Sequence, residues 1–384
     1  MAKLKDQKLQ SSHLIDLLKS FCLGGKPVAI NNDAVNWSIK TGLAAIVTDY
    51  GISNSNGTSS VTGKLPAEKL TAQFWSQTQL TATKKIVSEL NAQGIVPTLL
   101  KGISISSSYY PKPHYRMMRD IDILVDVEEI DKVEKILPCL DYKQRSTYSK
   151  KFYSTLHHTM PWQHCKDEIW IEVHKRLFPK TSPCYNSPIF QLEIIQQEKI
   201  IDDFYGLKVY RLSKEFQIVY IATHWAERFK LHGGVFALLD IALIINKHND
   251  ELDWDKIISW SNTACLSNYV YLILHYLSYS GLLKEEVSIV KYTNRLEHTL
   301  RIPSYYILSL IITNYLLAGK PFSRVLTINN ISIIWKHLLS PRTSLIKVAT
   351  IPLAVLFPKG KNKGFSLKFQ WIRFKSLIGY KKGC

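Results

Sequence analysis

The chain contains few cysteines, and none of them lie close together in the sequence. There are six among 384 residues, without a C-x-x-C pair, at Cys22, Cys139, Cys165, Cys184, Cys265 and Cys384. This spacing argues against a disulfide framework and a zinc cluster, and it fits a reducing compartment. No apolar run reaches the roughly 18–20 residues that a membrane-spanning helix needs, and the first residues lack the apolar segment of a secretory signal. We therefore expect a cytoplasmic protein, either free in solution or peripheral to a membrane.

Acidic side chains are absent from the last part of the chain. From His298 to Cys384 there are 14 Lys or Arg residues and no Asp or Glu, whereas the first 297 residues carry 35 basic and 31 acidic side chains. Apolar and aromatic residues alternate with the lysines between Phe365 and Ile378. Two interpretations stay open for this segment. It is an amphipathic segment that binds a polyanion, such as RNA or an anionic membrane surface, or a packed helix with a solvated basic face.

Apolar periodicity and composition divide the chain into four parts. Residues 1–66 are an N-terminal helical region that ends in a polar loop over 51–66. Residues 67–210 alternate helices and strands, as in an α/β (α+β) domain with a small mixed sheet. Residues 211–300 have the periodicity of a helical domain, and residues 301–384 form the basic amphipathic C-terminal segment.

The α/β part begins with a long helix, predicted from about Ala67 to Gln93 and capped by Gly94. Its predicted strands are Val96–Leu100, Arg119–Val125, Tyr142–Ser146, Phe152–Gln163 and Glu168–His174. The helical part is predicted to hold helices at Phe216–Arg228, Gly234–His248, Trp254–Ala264 and Ser267–Ser280. Asp253 is a good N-cap for the third of these.

Acidic and apolar residues alternate along the run D-I-D-I-L-V-D at residues 120–126. Because side chains alternate between the two faces of a strand, Asp120 and Asp122 point to one face. Two neighbouring carboxylates repel each other unless a cation lies between them, and hard divalent cations prefer oxygen ligands. A pair of such cations needs a third carboxylate from an adjacent strand. Glu172, in the run W-I-E-V-H, is the best-placed candidate.

The dipeptide Lys101-Gly102 follows a short predicted strand and precedes a short helix. Gly102 has no Cβ, so backbone amides there can approach a phosphate closely, and the helix N-terminus adds positive partial charge. Ser104 can donate one hydrogen bond, and Lys101 and Arg116 can neutralise phosphate charge. A structural ion pair is the alternative for Lys101, and pairing with the acidic strand is the alternative for Arg116. Positioning and charge neutralisation of this kind are what nucleotidyl transfer requires.

The runs LLKGISISSSYYPKPHYRMMRDIDILVD and WIEVHKRLF together resemble the uncharacterised nucleotidyltransferase family of the DNA-polymerase-β-like superfamily. The matching positions are Leu100, Lys101, Gly102, Tyr110, Pro111, Arg116, Asp120, Asp122, Leu124, Val125, Ile171, Glu172 and His174. The resemblance extends over roughly residues 70–380. The chain departs from the wider superfamily at the turn, where Gly-Ser or Gly-Gly is usual and the first Asp follows sooner than after the 17-residue gap found here.

The resemblance implies transfer of a nucleoside monophosphate from a Mg²⁺-bound nucleoside triphosphate to an acceptor, with release of pyrophosphate. Mn²⁺ is the alternative metal. The metal-binding and catalytic residues would be Asp120, Asp122 and Glu172. The phosphate-binding residues would be Lys101, Gly102, Ser104 and Arg116.

Four further residues are second-rank candidates, at His158, His174, His224 and Asp240. The resemblance draws attention to the histidines, for each of which a buried, hydrogen-bonded structural role is the alternative to catalysis. Asp240 lies in an apolar helix, where a carboxylate needs a partner. It either binds a Lys or Arg side chain or faces the nucleotide.

Two other functions compete with transfer to a small acceptor. The first is an RNA- or tRNA-directed, toxin-like nucleotidyltransferase whose basic C-terminal segment holds the RNA. Phosphate contacts of that kind would make binding fall steeply with salt. The second is a non-catalytic nucleotide-binding or scaffolding protein at a membrane surface.

Overall fold

The acidic run and the W-I-E-V-H run lie side by side in a mixed β-sheet. The computed structural model describes residues 13–53, 62–146, 148, 150–227, 234–285, 287, 289–317 and 328–339. Within these residues the strands are β1 (Val28–Ile30), β2 (Gly51–Ser53), β3 (Thr98–Leu99), β4 (Asp120–Leu124), β5 (Tyr142–Gln144), β6 (Trp162–His164), β7 (Trp170–His174), β8 (Lys199–Phe204) and β9 (Leu207–Leu212). β1 and β2 form a separate parallel pair. The other seven strands form one sheet in the order β5-β6-β7-β4-β3-β9-β8.

The sheet is mixed because two of its strand pairs are parallel and the rest are antiparallel. β4 runs parallel to β7, and β3 runs parallel to β9. Ile and Val alternate with polar residues along β4 and β7, and these branched side chains favour an extended backbone with one buried face. The predicted α+β class with a mixed sheet is confirmed.

Helices make up most of the remaining described chain. They are α1 (His13–Leu23), α2 (Asn32–Thr41), α3 (Ala44–Tyr50), α4 (Leu65–Ala92), α5 (Lys101–Ser108), α6 (Ile130–Cys139), α7 (Lys150–Tyr153), α8 (Leu192–Gln197), α9 (Lys214–Glu227), α10 (Val235–His248), α11 (Trp254–Thr263), α12 (Ser267–Ser280), α13 (Ile289–Thr293), α14 (Ile302–Ile311) and α15 (Ile328–Leu339). Short 3₁₀ turns lie at Thr62–Lys64, Pro113–Tyr115, Val127–Glu129, Pro183–Asn186, Pro188–Phe190 and Asn249–Glu251, and a π-helical turn at Ile312–Leu317. Among the described residues, none of the helices combines the length and apolar character needed to cross a bilayer.

The predicted helix ends agree with the local chemistry. Asp253 caps α11, because its carboxylate accepts a hydrogen bond from the backbone N–H of Lys256 at 2.9 Å. The long helix α4 ends at Ala92, and Gly94 then adopts a left-handed backbone with φ of 75°. Glycine adopts this conformation at no steric cost, so it stops the helix where the sequence predicts.

Two hydrophobic clusters hold the described residues together. The smaller one lies between the sheet and helices α4 and α6, and includes Ile86, Val133 and Ile171. The larger one contains side chains of α1, α3, α9, α10, α12 and α15, including Leu17 and Leu239. The N-terminal helices therefore share a core with the helices that follow the sheet. The division into four parts stays a prediction, and residues 318–327 and 340–384 of its basic C-terminal segment lie outside the described residues.

The predicted strand over residues 152–163 is wrong along most of its length. Its first residues belong to the short helix α7, and β6 begins only at Trp162. Phe152 and Tyr153 gave this segment a strand-like composition. The ring of Phe152 instead stacks on Tyr148 at a centroid distance of 4.6 Å, so local aromatic packing outweighs strand propensity here.

Other differences concern strand ends and one hairpin. β5 ends at Gln144 rather than residue 146, and β3 is shorter than predicted because helix α5 begins directly after Leu100. The polar loop predicted over 51–66 begins with β2. The β8–β9 hairpin was not predicted. Its turn, Tyr205-Gly206, has positive φ at both residues but lacks the Asn-Gly or Asp-Gly signal of such turns.

Candidate active site

The three carboxylates that the sequence singled out converge at the β4–β7 pair. In the parallel register Asp122 lies opposite Glu172, and Asp120 lies opposite Trp170. One carboxylate oxygen from each of Asp120, Asp122 and Glu172 lies within 4.8 Å of the other two. An all-oxygen donor set of this kind fits a hard divalent cation such as Mg²⁺.

The three acids differ strongly in their environments. Burial, followed by repulsion from Asp122 and Glu172, raises the pKa of Asp120 to about 6. Burial also acts to raise the pKa of Asp122, but the neighbouring Lys101 and His174 outweigh it and hold that pKa well below its ordinary value. Burial acts to raise the pKa of Glu172, but the hydrogen bond with His174 and the charges of His174 and His158 together lower it. Repulsion among the three acids is thus expressed mainly at Asp120.

Lys101 is paired with the acidic strand. It is the first residue of α5 and adopts a left-handed backbone with φ of 43°, which is uncommon for a side chain other than glycine. Its Nζ donates a hydrogen bond to Oδ1 of Asp122 at 2.9 Å. Burial acts to lower the pKa of Lys101, but the combined attraction of Asp122, Tyr220, Glu172 and Asp120 raises that pKa above its usual range. The ammonium group is therefore charged and neutralises Asp122.

Gly102 packs against the side chains of Arg116 and Met118, which belong to the loop between α5 and β4. A Cβ built at this position would come within 2.7 Å of Cγ of Met118 and 2.8 Å of Nη1 of Arg116. Both separations are too short for a real Cβ contact, so any larger residue would push these side chains away. The glycine is required here at least by packing.

Arg116 is bound to Asp240, a residue 124 positions further along the chain. Its Nε and Nη2 donate to the two carboxylate oxygens at 2.8 Å and 2.7 Å, and the hydroxyl of Tyr110 donates to Oδ1 at 2.8 Å. The pair is buried, with 13% of the Arg116 side chain and 2% of the Asp240 side chain exposed. The cation partner that Asp240 requires is therefore Arg116, and the pair links the loop before β4 to helix α10.

Ser104 and His224 are placed among other partners. Ser104 is buried on α5, where its hydroxyl and its carbonyl oxygen both accept hydrogen bonds from Arg211 of β9. The ring of His224 lies near Tyr220 and Phe178, at centroid distances of 6.1 Å and 6.5 Å. These contacts agree with structural roles, while the three carboxylates gather around Lys101 and His174.

Two of the candidate histidines contact the carboxylates directly. His174 is fully buried, and its Nε2 lies 2.7 Å from Oδ1 of Asp122 and 3.5 Å from Oε2 of Glu172. Nε2 of His158 lies 3.8 Å from Oε1 of Glu172. Burial and Lys101 act to lower the pKa of His174, but the hydrogen bonds with Asp122 and Glu172, together with the charge of Asp122, raise it. The pKa of His158 is lowered, mainly by burial.

Comparison with known proteins assigns the family. Residues 33–279 match the family described as uncharacterised nucleotidyltransferase. The chain belongs to this family. The match begins earlier and ends earlier than the 70–380 range drawn from the sequence motifs, and it includes the N-terminal helices α2 and α3. No curated protein matches the chain.

Among solved structures, the solution structure of the antibiotic-resistance factor ANT(2'')-Ia is 15% identical to this nucleotidyltransferase-family chain. That alignment has a TM-score of 0.36 and covers 53% of this chain and 99% of the other. An antigenic nucleotidyltransferase-like protein from Paracoccidioides brasiliensis is also 15% identical. Its TM-score is 0.38, and the alignment covers 56% of this chain and 92% of that one. The family assignment rests on the match over residues 33–279.

One residue of this family member's site was missed at the sequence level. His157 is 4% exposed, and its ring centroid lies 4.9 Å from that of His174. Its ligand atom lies within 4.8 Å of ligand atoms of Glu172 and His174. The His157-His158 doublet was the available signal, but only its second member was singled out. A strand was predicted through the doublet, which would have sent the two side chains to opposite faces.

Proposed function

We propose that this protein transfers a nucleoside monophosphate from a Mg²⁺-bound nucleoside triphosphate to an acceptor hydroxyl or phosphate, with release of pyrophosphate. The observation that carries this proposal is the convergence of Asp120, Asp122 and Glu172 within 4.8 Å, in a member of a nucleotidyltransferase family. Phosphoryl-type transfer requires positioning and charge neutralisation above all. A compact set of carboxylates on rigid central strands is suited to that task.

In this scheme the carboxylates have distinct tasks. Asp120 and Asp122, two residues apart on β4, would hold both metal ions, and Glu172 on β7 would complete the second site. When bound, the ions neutralise the phosphates and polarise the acceptor and leaving oxygens. The nearly buried Asp122 is fixed by Lys101 and His174, whereas Asp120 and Glu172 are half-buried and face the reactants. Mn²⁺ is the alternative metal.

We propose that Lys101 changes partner when the nucleotide binds. Its ammonium group neutralises Asp122 at 2.9 Å, which is the position that a metal cation also requires. A cation at Asp122 would release Lys101 towards the negatively charged phosphates. The side chain retains 20% exposure, so it borders the cleft rather than the core.

We propose that Arg116 positions the Lys101-Gly102 turn rather than binding phosphate itself. Nε and Nη2, which form one edge of its guanidinium group, are bound to Asp240, and its Nη1 lies next to Gly102. Helix α10 would therefore hold the turn in position through the bond between Asp240 and Arg116. A phosphate contact by Ser104 would require its hydroxyl to leave Arg211, so we assign the backbone around Gly102 the larger share of phosphate binding.

An RNA-directed transferase is the second candidate. Basic residues follow β7 directly, next to Glu172 and His174. Lys175, Arg176 and Lys180 lie close enough that, after burial, repulsion from the other two lowers the pKa of Lys175. A cluster of positive charge at the edge of the site suits a polyanionic acceptor. Of the C-terminal segment for which a polyanion is proposed, residues 318–327 and 340–384 lie outside the described part of the chain.

The test is transfer of label from nucleoside triphosphates. The full-length protein is incubated with each α-³²P-labelled nucleoside triphosphate, Mg²⁺ and cell extract, and label is sought on protein, RNA and small molecules. The expected result is Mg²⁺-dependent labelling and pyrophosphate release, abolished by Asp122→Asn. Asp126→Asn is the matched control, because Asp126 ends the same acidic run but pairs with Lys199. Unchanged pyrophosphate release by folded Asp122→Asn protein would refute the proposal.

A further inference from the structure

We propose that His157, Glu172 and His174 form a second cation site, for a transition-metal ion such as Zn²⁺. The ligand atoms of these three residues lie within 4.8 Å of one another. Glu172 also belongs to the group with Asp120 and Asp122, so the two sites would share one carboxylate. Zn²⁺ binding itself is independent of the proposed function, whereas its competition with Mg²⁺ rests on that function.

The donor set distinguishes this site from the carboxylate site. Two imidazoles and one carboxylate form a ligand combination that zinc prefers, with a fourth position left for water or substrate. Imidazole nitrogen suits Zn²⁺ and neighbouring transition metals, whereas Mg²⁺ prefers oxygen alone. His158 adds a further nitrogen, 3.8 Å from Oε1 of Glu172.

Backbone hydrogen bonds hold the histidine segment against the end of β7. The carbonyl of His157 accepts hydrogen bonds from the N–H groups of Lys175 and Arg176 at 2.9 Å and 3.2 Å. The N–H of Thr159 donates to the carbonyl of Val173 at 2.8 Å. The position of His157 beside His174 is thus fixed by the main chain and does not depend on a flexible loop conformation.

The rings are also oriented by main-chain carbonyls. Nδ1 of His174 lies 3.3 Å from the carbonyl oxygen of Arg176, and Nδ1 of His158 lies 2.7 Å from that of Thr159. Contacts of this kind orient the rings, as outer partners do for the histidines of metal sites, and leave Nε2 of each ring on the side of Glu172. A cation bound at Nε2 of His174 would replace the proton shared with Asp122. Glu172, whose side chain is 22% exposed, provides access from solvent.

Sharing Glu172 predicts antagonism between the two cations. A Zn²⁺ ion that draws Glu172 towards the histidines removes one oxygen ligand from the Asp120 and Asp122 side. By linkage, Zn²⁺ must then weaken Mg²⁺ binding by the same factor as Mg²⁺ weakens Zn²⁺ binding. Zinc would act on this enzyme as an inhibitor that competes with the metal of the reaction.

Zinc binding to the metal-free, full-length protein is the test, measured by competition with a chromogenic chelator. Wild-type protein should bind one Zn²⁺ at this site, and His157→Ala should weaken that binding by about 100-fold or more, since ligand loss costs at least as much as loss of an outer partner. His164→Ala is the matched control, because His164 lies on β6 and pairs with Asp167. Equal Zn²⁺ affinity in wild-type and His157→Ala protein would overturn the proposal.

Two additional measurements separate this inference from the proposed function. Asp120→Asn should weaken Mg²⁺ binding and leave Zn²⁺ binding unchanged, so a failure of either metal site appears on its own. Co²⁺ added to wild-type protein should give the intense visible absorption of a four-coordinate site with nitrogen ligands. Only the weak bands of octahedral Co²⁺ would contradict the site, even if His157→Ala failed to fold.

Discussion

Two buried ion pairs flank the Lys101-Gly102 turn, and they differ in how completely their charges are balanced. In the pair of Arg116 with Asp240, a two-pronged guanidinium meets both oxygens of one carboxylate, and Tyr110 adds a third hydrogen bond. In the pair of Lys101 with Asp122, one ammonium group faces a cluster that holds two more acids. We call the pair of Arg116 with Asp240 the closed pair, because its two charges balance. We call the pair of Lys101 with Asp122 the open pair, because its cluster retains excess negative charge.

This difference in charge balance assigns a structural role to the pair of Arg116 with Asp240 and a place in the reaction site to the pair of Lys101 with Asp122. A buried guanidinium and carboxylate joined by two parallel hydrogen bonds hold two elements of the fold together. A cluster with more acids than cations attracts a further cation, and burial together with repulsion from Asp122 and Glu172 raises the pKa of Asp120 to about 6.

Breaking the closed pair should have the largest effect on stability. Asp240→Asn leaves the buried Arg116 guanidinium without its counter-charge, so the free energy of unfolding should fall by about 3–5 kcal/mol. Denaturant unfolding of the full-length protein measures this. Asp250→Asn, at an exposed position just after α10, should change stability by no more than about 0.5 kcal/mol. Equal stability of the two variants would show that the Arg116 pair is not a support.

Adding a methyl group at Gly102, between the two ion pairs, should lower the free energy of unfolding by less than breaking the closed pair does. Gly102→Ala places a methyl group against Met118 and the Arg116 guanidinium, so stability should fall by about 1–3 kcal/mol through overpacking. The additional substitution Met118→Ala should recover part of the loss, because it removes the atom that the Cβ would meet at 2.7 Å. A fully additive double mutant would contradict the packing explanation.

Removing the cation of the open pair should improve metal binding. Lys101→Met takes away the ammonium group that competes for Asp122, so we expect Mg²⁺ affinity without nucleotide to rise about tenfold, or about 1.4 kcal/mol. Isothermal titration of the metal-free protein measures this affinity. Lys112→Met is the control, since Lys112 pairs with Asp49 outside the cluster. Weaker Mg²⁺ binding by Lys101→Met would mean that Lys101 supports the metal site.

The raised pKa of Asp120 predicts a pH dependence of metal binding. Its folded value of about 6 lies above the ordinary 3.8, so its protonated form stabilises the metal-free fold at low pH. That contribution is lost as pH rises through about 6, and a cation must displace the proton below this pH. Mg²⁺ affinity should therefore fall by up to about tenfold per pH unit below 6. Asp120→Asn should show a flat profile between pH 5 and 7.

The acidic half of the site was predictable because it depends on short-range rules. Strand alternation places Asp120 and Asp122 on one face, and the same rule applied to W-I-E-V-H selects Glu172. These rules need only the correct assignment of two strands, and the β4–β7 register satisfies them. The partner of Asp240 was predicted only as a type of residue, because a contact across 124 positions has no local signature.

Tertiary packing decided the remaining features. Ser104 has the spacing of a phosphate donor, but Arg211, 107 residues further on, engages it. His174 lies in the W-I-E-V-H run and was a candidate from the family resemblance, whereas its neighbour His157 comes from a loop that was predicted as a strand. The position of that loop depends on main-chain hydrogen bonds to the end of β7, which only the folded chain shows.

The most direct test of the central claim is Mg²⁺ binding by Glu172→Gln. Glu172 lies on β7 and Asp122 on β4. We expect a substitution of Glu172 to weaken Mg²⁺ binding at Asp122 because both carboxylates would belong to one metal site. Isothermal titration should show Mg²⁺ affinity reduced by at least about tenfold, or about 1.4 kcal/mol, relative to wild type and to the exposed control Glu193→Gln. Wild-type Mg²⁺ affinity in folded Glu172→Gln protein would contradict a shared site formed by β4 and β7.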